Sequence, residues 1–105
     1  MNEFFGETFI NEEQLKQEGI KYPIKLEYYK RTNEINTKNK VNKKYGIDIV
    51  KIEYLENNIK KEIKEIKNIS NDEEKINEIL TILKRNEVTP IGAEDIIREL
   101  KTSLF

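Results

Sequence analysis

The spacing of apolar positions changes its period along this chain, and each change marks an element. Ile24, Leu26 and Tyr28 alternate with Lys25, Glu27 and Tyr29, the period of two that belongs to a half-buried strand. Tyr45 to Tyr54 is a second strand, rich in β-branched and aromatic residues. Its alternation slips by one position between Ile49 and Val50, so either both faces are covered there or a bulge re-aims the strand. Beyond Ser70 the period lengthens. Ile76, Ile79, Leu80 and Leu83 stand at i, i+3, i+4 and i+7, the stripe of one helix, and Ile91, Ile96, Ile97 and Leu100 supply the buried face of another. Ser70-Asn71-Asp72-Glu73 reads as a capping box for the first helix, and Thr89-Pro90 opens the second with proline at its first position. Acidic residues at 72–74 and basic residues Lys84 and Arg85 match the dipole of the first helix, and Asn86 can end it. Thr102 to Phe105 is left as a short tail.

The rest of the pattern is less regular. Phe4, Phe5, Phe9 and Ile10 make residues 1–10 an apolar arm, either folded onto the core or presented as an anchor for a partner. Asn11 and Gln14 can cap a short N-terminal helix that ends at Gly19, ahead of Pro23. Residues 30–44 are rich in Lys and Asn without periodicity and read as a long hairpin loop. In Ile59–Ile69, Leu55, Ile59, Ile63 and Ile66 are spaced as a helix stripe, while Glu56-Asn57-Asn58 is a good hairpin turn before a strand. Local pattern alone leaves both readings open.

Three stretches together resemble a family of short bacterial proteins of unknown function: Tyr45-Gly46-Ile47-Asp48-Ile49-Val50, Ile66-Lys67-Asn68-Ile69-Ser70, and Val88-Thr89-Pro90 with Glu94-Asp95-Ile96-Ile97. The resemblance covers Tyr45 to Leu100 and implies a strand–turn–strand hairpin before the helices, which favours a strand at 59–69. It implies no activity, ligand or partner. Members of that family tend to carry His-Leu where this chain has Gly92-Ala93, a departure that removes the one titratable residue pointing to chemistry.

Composition then narrows the function. Charged residues make up 37% of the chain, yet Leu, Ile, Val and Phe account for 31 of 105 residues and the net charge is only −1, so the chain folds. A length of 105 residues is one domain. There is no Cys and no His, which removes disulfides, thiolate metal sites, thiol nucleophiles and the commonest general base. Glycines are scattered singly, without a phosphate-cradling loop, and Asp72-Glu73-Glu74 fan out from a helix start rather than converge on a metal. No catalytic, cofactor or metal site is expected. With no signal-peptide pattern and no long apolar run, the expected location is the cytoplasm.

The expected fold is α+β: a short N-terminal helix, a three-stranded antiparallel sheet and two C-terminal helices, over residues 70–101, packed on it. Candidate contact residues lie outside the helices. Phe4, Phe5 and Phe9 form one group; Tyr29, Lys30, Arg31, Lys38, Lys40, Lys43 and Lys44 form the other. Residues 30–44 carry six cations against Glu34 alone, a local charge of +5, with Tyr28, Tyr29 and Tyr45 beside them. Cations interleaved with aromatics suit single-stranded nucleic acid, but a pI near 5.7 is low for such a protein, and a genome biased toward AT inflates Lys and Asn. The primary expectation is a small non-catalytic protein that binds another protein, as a regulator or inhibitor. The alternative is nucleic-acid binding through residues 30–44. A homodimer paired along an uncovered strand, 24–30 or 59–69, is a further arrangement the pattern permits.

Overall fold

A computed structural model describes residues 2–10 and 22–104. Four segments are strands: β1 (Asn2–Ile10), β2 (Ile24–Thr37), β3 (Lys40–Tyr54) and β4 (Ile59–Ser70). They form one antiparallel sheet in the order β1-β2-β3-β4, each strand beside its neighbour in sequence. Two helices follow, α1 (Glu73–Arg85) and α2 (Pro90–Leu104), and both pack on one face of the sheet.

The sheet therefore has four strands rather than three. Residues 2–10 are not an arm but an edge strand, paired from Asn2↔Arg31 to Ile10↔Ile24. A bulge between Phe4 and Gly6 resets the alternation, so that Phe5 and Gly6 both lie on the helix side while Phe4 and Glu7 face away from it. The helix expected at Asn11–Gly19 lies outside the described residues; within those described, the N-terminal part is strand and not helix.

Residues 30–44 are likewise not a loop. β2 and β3 pair without interruption as far as Thr37↔Lys40, and the connection shrinks to Lys38-Asn39. Lys and Asn have weak strand preference, but a ladder already fixed by strong neighbours carries them along. The β3–β4 connection is the expected turn: the Leu55 N–H donates to the Asn58 carbonyl at 2.9 Å and the Ile59 N–H to the Asn58 side chain at 2.8 Å. The strand reading of 59–69 holds.

Ile24, Leu26 and Tyr28 of β2 and Tyr45, Ile47 and Ile49 of β3 form the sheet half of the core; Ile76, Ile79, Leu80 and Leu83 of α1 are fully buried against them. At Ile49–Val50 the pairing is regular, with no bulge; Ile49 is buried under the helices, while Asp48 and Val50 on the opposite side are buried among side chains of the neighbouring strands. The irregularity in β3 falls earlier. Between Tyr45↔Ser70 and Ile47↔Ile66 only Gly46 stands opposite three residues of β4. Among those three, Asn68 takes a positive φ of 54°. A Cβ at Gly46 would run into the Ile66 carbonyl oxygen, so this crossing requires glycine.

The helix ends deviate slightly from their sequence signals. The N-cap of α1 is Asp72, whose carboxylate accepts the Glu74 N–H at 3.0 Å, while the Ser70 hydroxyl accepts the Asp72 N–H at 3.1 Å. Ser70 thus braces the cap two residues ahead of it, in place of the expected capping box. Asn86 ends α1, and Glu87 sits in the left-handed region at φ 52°. The Val88 N–H reaches the Leu83 carbonyl and the Glu87 N–H the Lys84 carbonyl, the paired bonds of a Schellman motif. α2 begins at Pro90 and runs through the expected tail to Leu104. Its inner face is Ala93 and Ile97, with Ile96 and Leu100 packed at the margin; Ile91, expected inside, is 84% exposed. Among the described residues no helix is long and apolar enough to cross a membrane.

Candidate functional site

Both helices cover the same side of the sheet, so among the described residues the other side has no layer over it. Strand register defines what that side presents. Phe4, Tyr29, Asp48 and Glu65 form one row across the four strands; Glu7, Glu27, Val50 and Ile63 the next; Phe9, Lys25, Ile52 and Lys61 the third; Tyr54 and Ile59 close it. The aromatic residues touch across strands. Phe4 meets Tyr29 edge to face with centroids 5.6 Å apart, and Phe9 meets Tyr54 at 6.4 Å. Phe4, Phe9, Ile59 and Ile63 remain more than half exposed, from 52% at Phe4 to 59% at Ile59. All four lie on the outer strands, around a more buried centre at Val50.

Most charges on this face are paired within it, Lys61 excepted. Lys25 lies between Glu7 at 3.3 Å and Glu27 at 3.4 Å, and those carboxylates hold its ammonium above the ordinary lysine range. The Tyr29 hydroxyl donates to Glu27 at 3.2 Å. Deeper lies Asp48, which accepts Arg31 through two parallel bonds, Nε at 3.0 Å and Nη2 at 2.9 Å. The Asn2 amide donates to the same carboxylate at 2.6 Å, and Arg31 also reaches Glu65 at 2.7 Å. Asp48 holds Arg31 above its usual value and fixes its planar fork against the sheet.

The candidate residues divide accordingly. Phe4, Phe9 and Tyr29 lie on the uncovered face, with Arg31 at its end beside Asn2. Phe5 points the other way and packs against the core. Lys30 also faces the helices, where it bonds to Glu73 at 3.1 Å, Glu3 at 3.2 Å and the Asn77 side chain at 3.4 Å. Burial works against its charge, and the hydrogen bonds to Glu73 and Glu3 outweigh burial to raise its pKa. Lys38, Lys40, Lys43 and Lys44 stand apart, on the far part of the β2–β3 hairpin. The sequence reading overlooked Val50, Ile52, Tyr54, Ile59 and Ile63 as partners of the aromatic group. Their alternation in β3 and β4 was the available signal, but it assigns a face only once the strands are set in register.

The acidic run at 72–74 has structural employment: Asp72 caps α1 and Glu73 holds Lys30. Among the described residues there is no group of three or more carboxylates, histidines or cysteines arranged to hold a metal.

Fold and surface together define a two-layer α+β domain with one bare sheet face. The chain belongs to a family of unknown function, DUF6514, whose model matches residues 7–103. That match extends the resemblance seen over residues 45–100 into β1 and β2. Comparisons with curated proteins and with solved structures returned no match.

Proposed function

We propose that this chain is a small non-catalytic module that docks another protein on the bare sheet face, acting as a regulator or inhibitor by occupying its partner. The observation that supports this reading is the grouping of Phe4, Phe9, Ile59 and Ile63, each more than half exposed, on a single face. Scattered apolar residues on a surface need no explanation, whereas these are linked across the face by Tyr54, which meets Phe9 and pairs with Ile59, and by Val50, which pairs with Ile63. Four strands about 4.8 Å apart and nine residues long at about 3.3 Å each give a footprint of roughly 570 Å² before side-chain relief. That approaches the ~800 Å² of accessible surface each partner commits in a stable interface.

Charge specifies the partner. Lys25 is shared by Glu7 and Glu27 and Arg31 by Asp48 and Glu65, and with Lys61 these groups leave the face a net charge of only −1, so it calls for few counter-charges from outside. The fitting occupant is a protein surface that is apolar and low in charge at its centre. A cysteine-free composition suits a reducing compartment, and we place the protein in the cytoplasm.

Affinity capture of partners with the tagged full chain, followed by calorimetry on the purified partner, tests the reading. Ile63→Lys and Phe9→Lys should each weaken that binding at least tenfold, with the circular dichroism spectrum unchanged. A partner bound equally well by both variants would overturn the assignment of this face. Sedimentation of the chain alone separates the other occupant: a dimer lost in Ile63→Lys would show that the face meets a second copy instead.

A further inference from the structure

The cations along the β2–β3 hairpin differ in their partners, and Lys51, on the body of β3, has no ion pair to any described residue. Lys25, Lys30 and Arg31 are each held by two carboxylates: Glu7 and Glu27, Glu3 and Glu73, Asp48 and Glu65. Lys38, Lys40, Lys43 and Lys44 have no ion pair to any described residue.

These four lysines also occupy a distinct part of the fold. β1 follows β2 only to Asn2↔Arg31, and β4 follows β3 only to Tyr45↔Ser70. Beyond those pairs, β2 and β3 continue alone from Asn33↔Lys44 to Thr37↔Lys40, an arm of residues 33–44 closed by Lys38-Asn39. With a rise of about 3.3 Å per residue the arm projects roughly 15 Å. It contributes to a long molecular axis of 54 Å against 30 and 18 Å for the others. An isolated two-stranded ribbon gains little stability of its own, and nothing in the core depends on this one.

We propose that this arm is a DNA-binding β-ribbon that enters the major groove of a duplex. A B-form major groove, about 12 Å wide and 8.5 Å deep, admits a two-stranded ribbon. The narrow major groove of an RNA duplex does not. The arm carries four lysines and Glu34, a charge of +3, while the rest of the chain holds −4 of the total of −1. That polarity turns the arm toward a polyanion and the body away from it. The arm's other polar side chains are Asn33, Asn36, Thr37, Asn39 and Asn42. Such amides bond both phosphate oxygens and the adenine edge, and by register Asn42 shares one face of the arm with Lys40 and Lys44, while Asn36 shares the other with Lys43. Along the arm an open depression is lined by Ile35, Val41, Asn42, Lys43, Lys44 and Asn71. This inference is independent of the bare sheet face, which lies on the body.

The test is fluorescence anisotropy with a labelled 20-base-pair duplex and the full chain, at salt from 50 to 200 mM. If all four lysines neutralise phosphates, log K should fall with log[salt] at a slope near −3.6, roughly a hundredfold loss over that range. Replacing all four by Gln should abolish the binding seen at 50 mM, while each single Lys→Gln change should lower the slope by about 0.9. Lys→Arg replacements should keep it. Thermal melting should be unmoved by these changes, because the arm lies outside the core. No binding to the duplex at 50 mM salt would overturn the proposal. So would a slope unaffected by the Gln substitutions. Tighter binding to a single strand or to an RNA duplex would refute groove entry, and preference for polyglutamate over DNA would point instead to an acidic protein.

Discussion

Tyr28 is the residue where sheet and helices are joined by a polar bond. Its ring is fully buried, and its hydroxyl donates to the Val88 carbonyl at 2.9 Å, immediately after the left-handed Glu87. Burial, aided by the charge of Glu87, raises the pKa of this phenol far above its ordinary value. The folded state therefore keeps the proton where the unfolded chain gives it up. Below about pH 10 both states hold the proton and the group adds no pH dependence. Above that, stability falls as pH rises, by up to about 1.4 kcal/mol per unit. Urea midpoints measured from pH 8 to 11.5 should show this decline, and Tyr28→Phe should flatten it. At pH 8 the same variant should cost about 1–3 kcal/mol, because the Val88 carbonyl loses its buried donor.

At the scale of elements, sequence and structure agree where apolar periodicity is strong. The α1 stripe of Ile76, Ile79, Leu80 and Leu83, the β3 core at Ile47 and Ile49, and the Pro90 start of α2 all stand as their spacing indicates. Agreement fails where another force sets the conformation. β1 was illegible because its bulge sets Phe5 and Gly6 on the same side, which breaks the alternation a strand should show. The arm was illegible because its backbone ladder, not its side chains, defines it. In α2 small Ala93 takes the close contact, and Ile91, on another side of the turn, is left in solvent. Half of the candidate face was visible as a cluster of aromatics near the N-terminus. Its other half, from β3 and β4, needed the register. Ending the chain at Val88 tests the weight of α2. Loss of Ile97, Ala93 and their cover on Ile69 should cost on the order of 3–6 kcal/mol, at about 1.5–3 kcal/mol per large buried side chain. Unchanged urea unfolding after that truncation would mean α2 is not part of the core.

The whole molecule must also avoid extending its own sheet. β1 and β4 both expose edges, and β4 carries Lys60, Lys61, Lys64 and Lys67 along its length. Lysines on an edge strand discourage another strand from pairing there, since two such rows would repel. Lys64 has a local task as well, with Glu94 of α2 at 3.2 Å. Replacing Lys60, Lys61 and Lys67 together by Thr, which favours strands and carries no charge, should leave the fold intact and promote edge-to-edge association. Light scattering that grows with concentration and is suppressed in the native chain would register it.

The strand order β1-β2-β3-β4 also bears on how the chain reaches this state. Each strand pairs with the one made just before it, so the β2–β3–β4 meander can zip from its two short turns without first closing a long loop. The tie between Tyr28 and Val88 spans 60 residues and closes only when the helices settle on the finished meander. Folding should then divide unevenly, with the central hairpins formed early and helix docking late. Substitutions at the α1–sheet contact would chiefly speed unfolding, while those in the β3–β4 turn would chiefly slow folding.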